Sequence, residues 1–96
     1  MHINKEELNM RLDVKISSAN MREVREDVLY CKIQTSGGYY YIDSQTGPIF
    51  SDVTEGFLHI VCHDKTSIDI PISNGVFLTK RNGKKLLCLV ITKNNS

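Results

Sequence analysis

Leu86-Leu87-Cys88-Leu89-Val90-Ile91-Thr92 carries no charge, no Gly and no Pro. A run that is apolar at successive positions reads as a strand covered on both faces. Upstream lies Val76-Phe77-Leu78-Thr79, and Lys80-Arg81-Asn82-Gly83-Lys84-Lys85 separates the two. Asn-Gly between apolar runs is the strongest short hairpin signal, because a type I′ turn needs positive φ at both central residues. The expectation is a hairpin turning on Asn82-Gly83, with Arg81 opposite Lys84 and Lys80 opposite Lys85. Its second strand is the centre of the core.

Working back from this hairpin, residues 57–72 predict another. Phe57 to His63 forms one strand and Ser67 to Ile72 the other, with isoleucines alternating along it. A loop of Asp64-Lys65-Thr66 aligns Leu58, Ile60 and Cys62 with Ile72, Ile70 and Ile68. Pro71 cannot donate to a ladder, so this strand belongs at an edge. Residues 28–43 predict a third hairpin turning on Ser36-Gly37. That register pairs Ile33 with Tyr40 and Cys31 with Ile42 on one face. It sets Lys32 against Tyr41, Gln34 against Tyr39 and Tyr30 against Asp43 on the other, so every aliphatic residue shares one side.

Near the start, Leu8, Met10, Leu12, Val14 and Ile16 alternate with polar residues, which predicts a half-buried strand over 8–17. Asn4 and Glu7 before it resemble a short helix start. Asn20 and Glu23 form a second capping pair, and Met21, Val24 and Val28 follow helical spacing. They predict a helix of one to two turns in 18–27, with a charged loop as the alternative reading. Ile49-Phe50 reads as a short strand or edge, and 52–56 as a turn. The tally is all-β, with at most one or two short helices: a small antiparallel barrel or sandwich of seven or eight short strands built from successive hairpins. The 96 residues predict one domain over 1–96 with a polar, frayed tail at 93–96.

Twelve basic and 11 acidic residues leave a formal net charge of +1, which supplies no global pull towards nucleic acid or anionic membrane. No apolar run approaches the length of a membrane helix, and residues 1–7 lack an apolar signal region. Three cysteines without a Cys-x-x-Cys spacing do not make a disulfide framework or a zinc knuckle. These features predict a cytoplasmic protein in a reducing compartment.

His59 and His63 invite a metal reading. Four residues along a strand span about 13 Å, too far for both imidazoles to reach one ion at about 2 Å. They read instead as outer-face histidines beside Asp69. Cys62 adjoins His63, but strand neighbours point to opposite faces. Asp13, Asp43 and Asp69 sit at polar strand positions without special pairing. No catalytic motif, metal ligand set or cofactor loop is present, so the expectation is a protein that is not an enzyme and takes no cofactor.

Two surface features suit contacts. The outer face of the 28–43 hairpin gathers Tyr30, Tyr39 and Tyr41 around Lys32, and the last hairpin carries Lys80, Arg81, Lys84 and Lys85 at its tip. Tyrosine is enriched at protein interfaces. The leading expectation is therefore a small regulatory protein acting through protein–protein contacts, with exposed strands offering self-association as well. The alternative is a nucleic-acid-binding small β-barrel, in which the tip meets phosphates and the tyrosines stack on bases.

Overall fold

The computed structural model describes residues 10–93. The helix start at Asn4 and the opening of the 8–17 strand lie outside them. Eight strands run in chain order: β1 (Arg11–Ser18), β2 (Met21–Thr35), β3 (Gly38–Asp43), β4 (Phe50–Val53), β5 (Gly56–Cys62), β6 (Ser67–Ile72), β7 (Gly75–Asn82) and β8 (Lys85–Thr92). They form one sheet in the order β4-β7-β8-β1-β2-β5-β6, with β3 paired to β2 beyond the reach of β1. Pairing is antiparallel except between β1 and β8, which run parallel from Arg11–Lys85 to Ser17–Ile91. The all-β class and the eight strands match the sequence reading. The sheet is mixed and does not close into a barrel.

It folds back on itself around one apolar interior. Leu12, Val14 and Ile16 of β1, Cys31 and Ile33 of β2, Leu58 and Ile60 of β5, and Phe77, Cys88 and Val90 are all fully buried. Contacts across the fold join Tyr40 to Phe77, with ring centroids 5.8 Å apart, and the Cys31 thiol to Cys88. At the far edge Thr54 N–H donates to the Gln34 carbonyl at 3.0 Å, and Ser36 N–H to Asp52 at 3.0 Å. The 57–72 hairpin ends at β6, which among the described residues pairs only with β5, so Pro71 does stand in an edge strand.

Four expectations need correction. Residues 21–27 are strand, not helix: β2 pairs with β1 from Ser18–Met21 to Leu12–Val28. The cross-strand ladder overrides the local capping pattern of Asn20 and Glu23. A bulge interrupts this pairing, with Asp27 at φ 52°. Second, β4 reaches Val53, so the turn after Phe50 begins later than 52.

Third, both later hairpins turn elsewhere. Leu58 pairs with Ile70 and Ile60 with Ile68, two residues from the expected partners. Cys62 N–H donates to the Thr66 carbonyl, so His63-Asp64-Lys65 is the loop. Lys65 takes φ 71°, and Asp64 accepts from Thr66 N–H at 3.0 Å and Thr66 Oγ1 at 2.6 Å. In the last hairpin Asn82 pairs with Lys85, Arg81 with Leu86 and Lys80 with Leu87. The turn is Gly83-Lys84, and only Gly83 has positive φ, at 62°. A type II′ turn needs positive φ at its first central residue alone, so glycine leads. The like charges expected to face one another do not. Both shifts are even, so every side chain keeps its expected face.

Fourth, the described residues do not cover β8 on both sides. Leu86, Cys88 and Val90 are buried, Leu87 and Leu89 only half-buried, and Ile91 is 43% exposed.

Candidate functional site

The side chains that β8 leaves uncovered belong to a continuous surface. In the antiparallel registers Phe50 faces Leu78, Leu78 faces Leu89, and Val76 faces Ile91. Directly opposite residues project to the same side of a sheet. Phe50, Val76, Leu78, Leu87, Leu89 and Ile91 thus make one apolar face across β4, β7 and β8, with Phe50 74% exposed. The inward alternates Phe77, Thr79, Cys88 and Val90 are buried, so alternation fixes which residues lie outside. Lys80 opposite Leu87 and Lys15 opposite Leu89 border the face with positive charge, and Asp13 opposite Leu87 and Asp52 opposite Val76 with negative. The sequence signal for this surface was in hand: a strand apolar at successive positions needs cover on both sides, and the described residues supply it on one.

The tyrosine cluster assembles as expected on the opposite layer. Lys32 pairs with Tyr41 and Gln34 with Tyr39. The Lys32 ammonium lies 4.2 Å from the Tyr39 ring centroid and 5.9 Å from that of Tyr41, a cation–π contact. Tyr30 and Tyr41 tilt together at 6.1 Å. Beside them His59 faces Asp69, Nδ1 to Oδ1 2.6 Å, and these two with Lys32, Gln34, Tyr39 and Phe57 line a shallow cleft of about 340 Å³. A larger cleft of about 470 Å³ opens at the end of β3, between Leu29, Tyr30, Tyr41 and His63.

His63 lies in the loop after β5, its Nε2 3.3 Å from Asp27. The two histidines therefore serve different carboxylates. The basic tip is less free than its sequence implies. Arg81 donates to the Ser44 carbonyl, and the Lys85 ammonium lies 3.7 Å from Asp13. Lys80 and Lys84 remain exposed.

Asp13, expected to lack special pairing, is buried on the outer side of β1 and is a structural hub: it also accepts from Arg11 at 3.2 Å and from Asp27 N–H at 2.9 Å. Asp43 likewise accepts from Gln45 N–H at 2.9 Å and closes the turn after β3. Cys31 and Cys88 are buried and Cys62 half-buried. A hydrogen bond with Cys88, reinforced by burial, pushes the Cys31 thiol well above its ordinary pKa.

No family model and no curated protein sequence matches this chain. Its fold nevertheless recurs in solved structures. One similar chain lies in the Euglena gracilis mitochondrial ATP synthase, in a structure of its OSCP, F1 and c-ring: TM-score 0.75, 13% identity, covering 88% of this chain and 51% of that one. Another lies in the central stalk and c-ring structure of the Tetrahymena thermophila mitochondrial ATP synthase: TM-score 0.69, 13% identity, 88% and 65% coverage. This chain thus spans half to two thirds of the length of those subunits. It has the fold of a piece of a subunit found in mitochondrial ATP synthase complexes.

Proposed function

We propose that this chain is a non-enzymatic component of a multi-subunit assembly of the ATP-synthase kind, docked through the apolar face of β4, β7 and β8. The observation that carries the reading is that face: six apolar residues in adjoining rows, Phe50 and Ile91 exposed and the other four half-buried. Contiguous exposed apolar surface rimmed by polar residues marks interaction sites. The recurrence of the fold in two ATP synthase structures supports an assembly as the setting. The tyrosine face, with its partly exposed His59–Asp69 pair, serves as a secondary polar contact.

A photo-crosslinking residue at Leu89, compared with one at exposed Lys84, tests the reading in the native host. The expected result is a crosslink from position 89, and not from 84, to one defined subunit of an ATP-hydrolysing or ATP-synthesising complex. Leu89→Lys is expected to release the chain from that complex. A chain that migrates alone on native gels and crosslinks from neither position sinks the proposal.

A further inference from the structure

The edge of β3 carries an interaction that the apolar face does not explain. The Ser36-Gly37 turn makes Thr35–Gly38, Ile33–Tyr40 and Cys31–Ile42 the mutually hydrogen-bonded pairs of the β2–β3 ladder. The alternate residues of β2 direct their main-chain groups to its other side, as the Gln34 carbonyl does in accepting from Thr54. Their partners on β3, Tyr39, Tyr41 and Asp43, direct theirs to the free edge. Asp43 is already occupied: its N–H donates to Thr46 Oγ1 at 2.9 Å and its carbonyl accepts from Thr46 N–H at 3.2 Å. The N–H and C=O groups of Tyr39 and Tyr41 have no partner among the described residues.

Sheet edges are ordinarily protected by Pro, Lys, bulges or a covering segment. The β6 edge has Pro71, and the chain beside β4 is tied to β2 through Thr54 and Gln34. Gly38–Asp43 contains no Pro, Lys or bulge and has no covering segment among the described residues, and Tyr39 and Tyr41 are 55% and 64% exposed.

We propose that the β3 edge pairs with the same edge of a second copy of this chain, antiparallel and centred on Tyr40. A two-fold axis there sets Tyr39 opposite Tyr41 of the second copy, and the reverse. Each pairing exchanges both main-chain hydrogen bonds, so all four open groups of each copy are used. The aromatic rings of these pairs meet on one face. The only charge of β3, Asp43, falls opposite Gly37 of the second copy, so no like charges meet, and a net charge of +1 per chain opposes association weakly. A single ribbon buries less than the ~1,200 Å² of standard stable interfaces, which sets the affinity in the micromolar-to-millimolar range. The apolar face of β4, β7 and β8 stays free, so this dimer and the docking proposed above are independent.

Sedimentation of the intact chain from about 10 μM to about 1 mM, with residue-resolved amide exchange at both extremes, tests it. Sedimentation is expected to shift towards dimer as concentration rises. The Tyr39 and Tyr41 amides gain protection only at the high end, whereas those of Tyr40 and Ile42 are protected throughout. Tyr41→Pro removes an edge donor and no bond of the β2–β3 ladder, and is expected to weaken association at least tenfold. Tyr39→Lys gives the same result should proline disturb the fold. A chain monomeric at every concentration overturns the proposal. So does a dimer indifferent to both substitutions, or a pair of Tyr39 and Tyr41 amides already protected in dilute solution.

Discussion

Asp13 Oδ1 accepts the backbone N–H of Asp27 at 2.9 Å, and Asp27 is the residue of β2 held at φ 52°. A carboxylate on one strand thus fastens the bulge of its neighbour, while its other oxygen meets Arg11 and Lys85. Asp13→Ala leaves the Asp27 amide unpaired and takes the carboxylate from Lys85 and from Arg11, which keeps Glu26. It is expected to cost about 1–3 kcal/mol in urea unfolding, with loss of amide protection centred on Asp27.

Gly75 and Thr92 face each other where β7 begins, and substitutions there act in opposite directions. A Cβ on Gly75 meets the Ile91 carbonyl oxygen at 2.0 Å and Thr92 Cα at 2.7 Å. Backbone cannot swing aside as a side chain does, so Gly75→Ala is expected to destabilise by about 1–3 kcal/mol. The buried Thr92 hydroxyl has no hydrogen-bond partner among the described residues. Thr92→Val keeps the shape and removes the unpaired group, so stability is expected to stay level or rise by up to about 1 kcal/mol. Thermal unfolding of the two variants checks both signs.

Acid weakens two turns. Hydrogen bonds from Ser36, chiefly its backbone N–H, lower the Asp52 pKa from its ordinary value of 3.8. Those from Thr66, chiefly its hydroxyl, lower that of Asp64. A carboxylate depressed on folding contributes stability in full above its unfolded pKa, and the contribution fades as pH falls through the folded value. Carboxyl carbon titration is expected to place both groups below the ordinary carboxylate range. Asp52→Asn is expected to flatten the acid limb of the stability curve.

Thiol labelling reads the core. Cys31 and Cys88 are buried and Cys62 half-buried, and only thiolate reacts. Iodoacetamide at neutral pH is expected to modify Cys62 first. Cys31, with its pKa raised by Cys88 and burial, reacts only when the chain opens. Mass spectrometry of the labelled peptides distinguishes them.

The sequence carried the register of residues 28–43 pair by pair, because only one alignment puts Cys31, Ile33 and Ile42 on a single face. It also carried the His59–Asp69 neighbourhood and the tyrosine cluster around Lys32. It did not carry Met21–Asp27, where a capping pattern spanning four residues competes with a ladder that β1 completes from outside. Choosing between Asn82-Gly83 and Gly83-Lys84 needed to know whether one or two turn residues take positive φ, and Asn tolerates either. The open face of β8 was hidden for another reason. A doubly apolar strand reads the same whether its second cover comes from its own chain or another.

The parallel seam between β1 and β8 has a consequence for assembly on the ribosome. β1 emerges well before β8, and among the described strands it has β2 alone to pair with until more than 60 further residues have been made. The flank of β1 that takes β8 therefore stays open until β8 emerges, and the sheet is completed in a late, cooperative step. Pairings so distant along a chain form slowly, which leaves the nascent sheet most vulnerable just before β8 arrives.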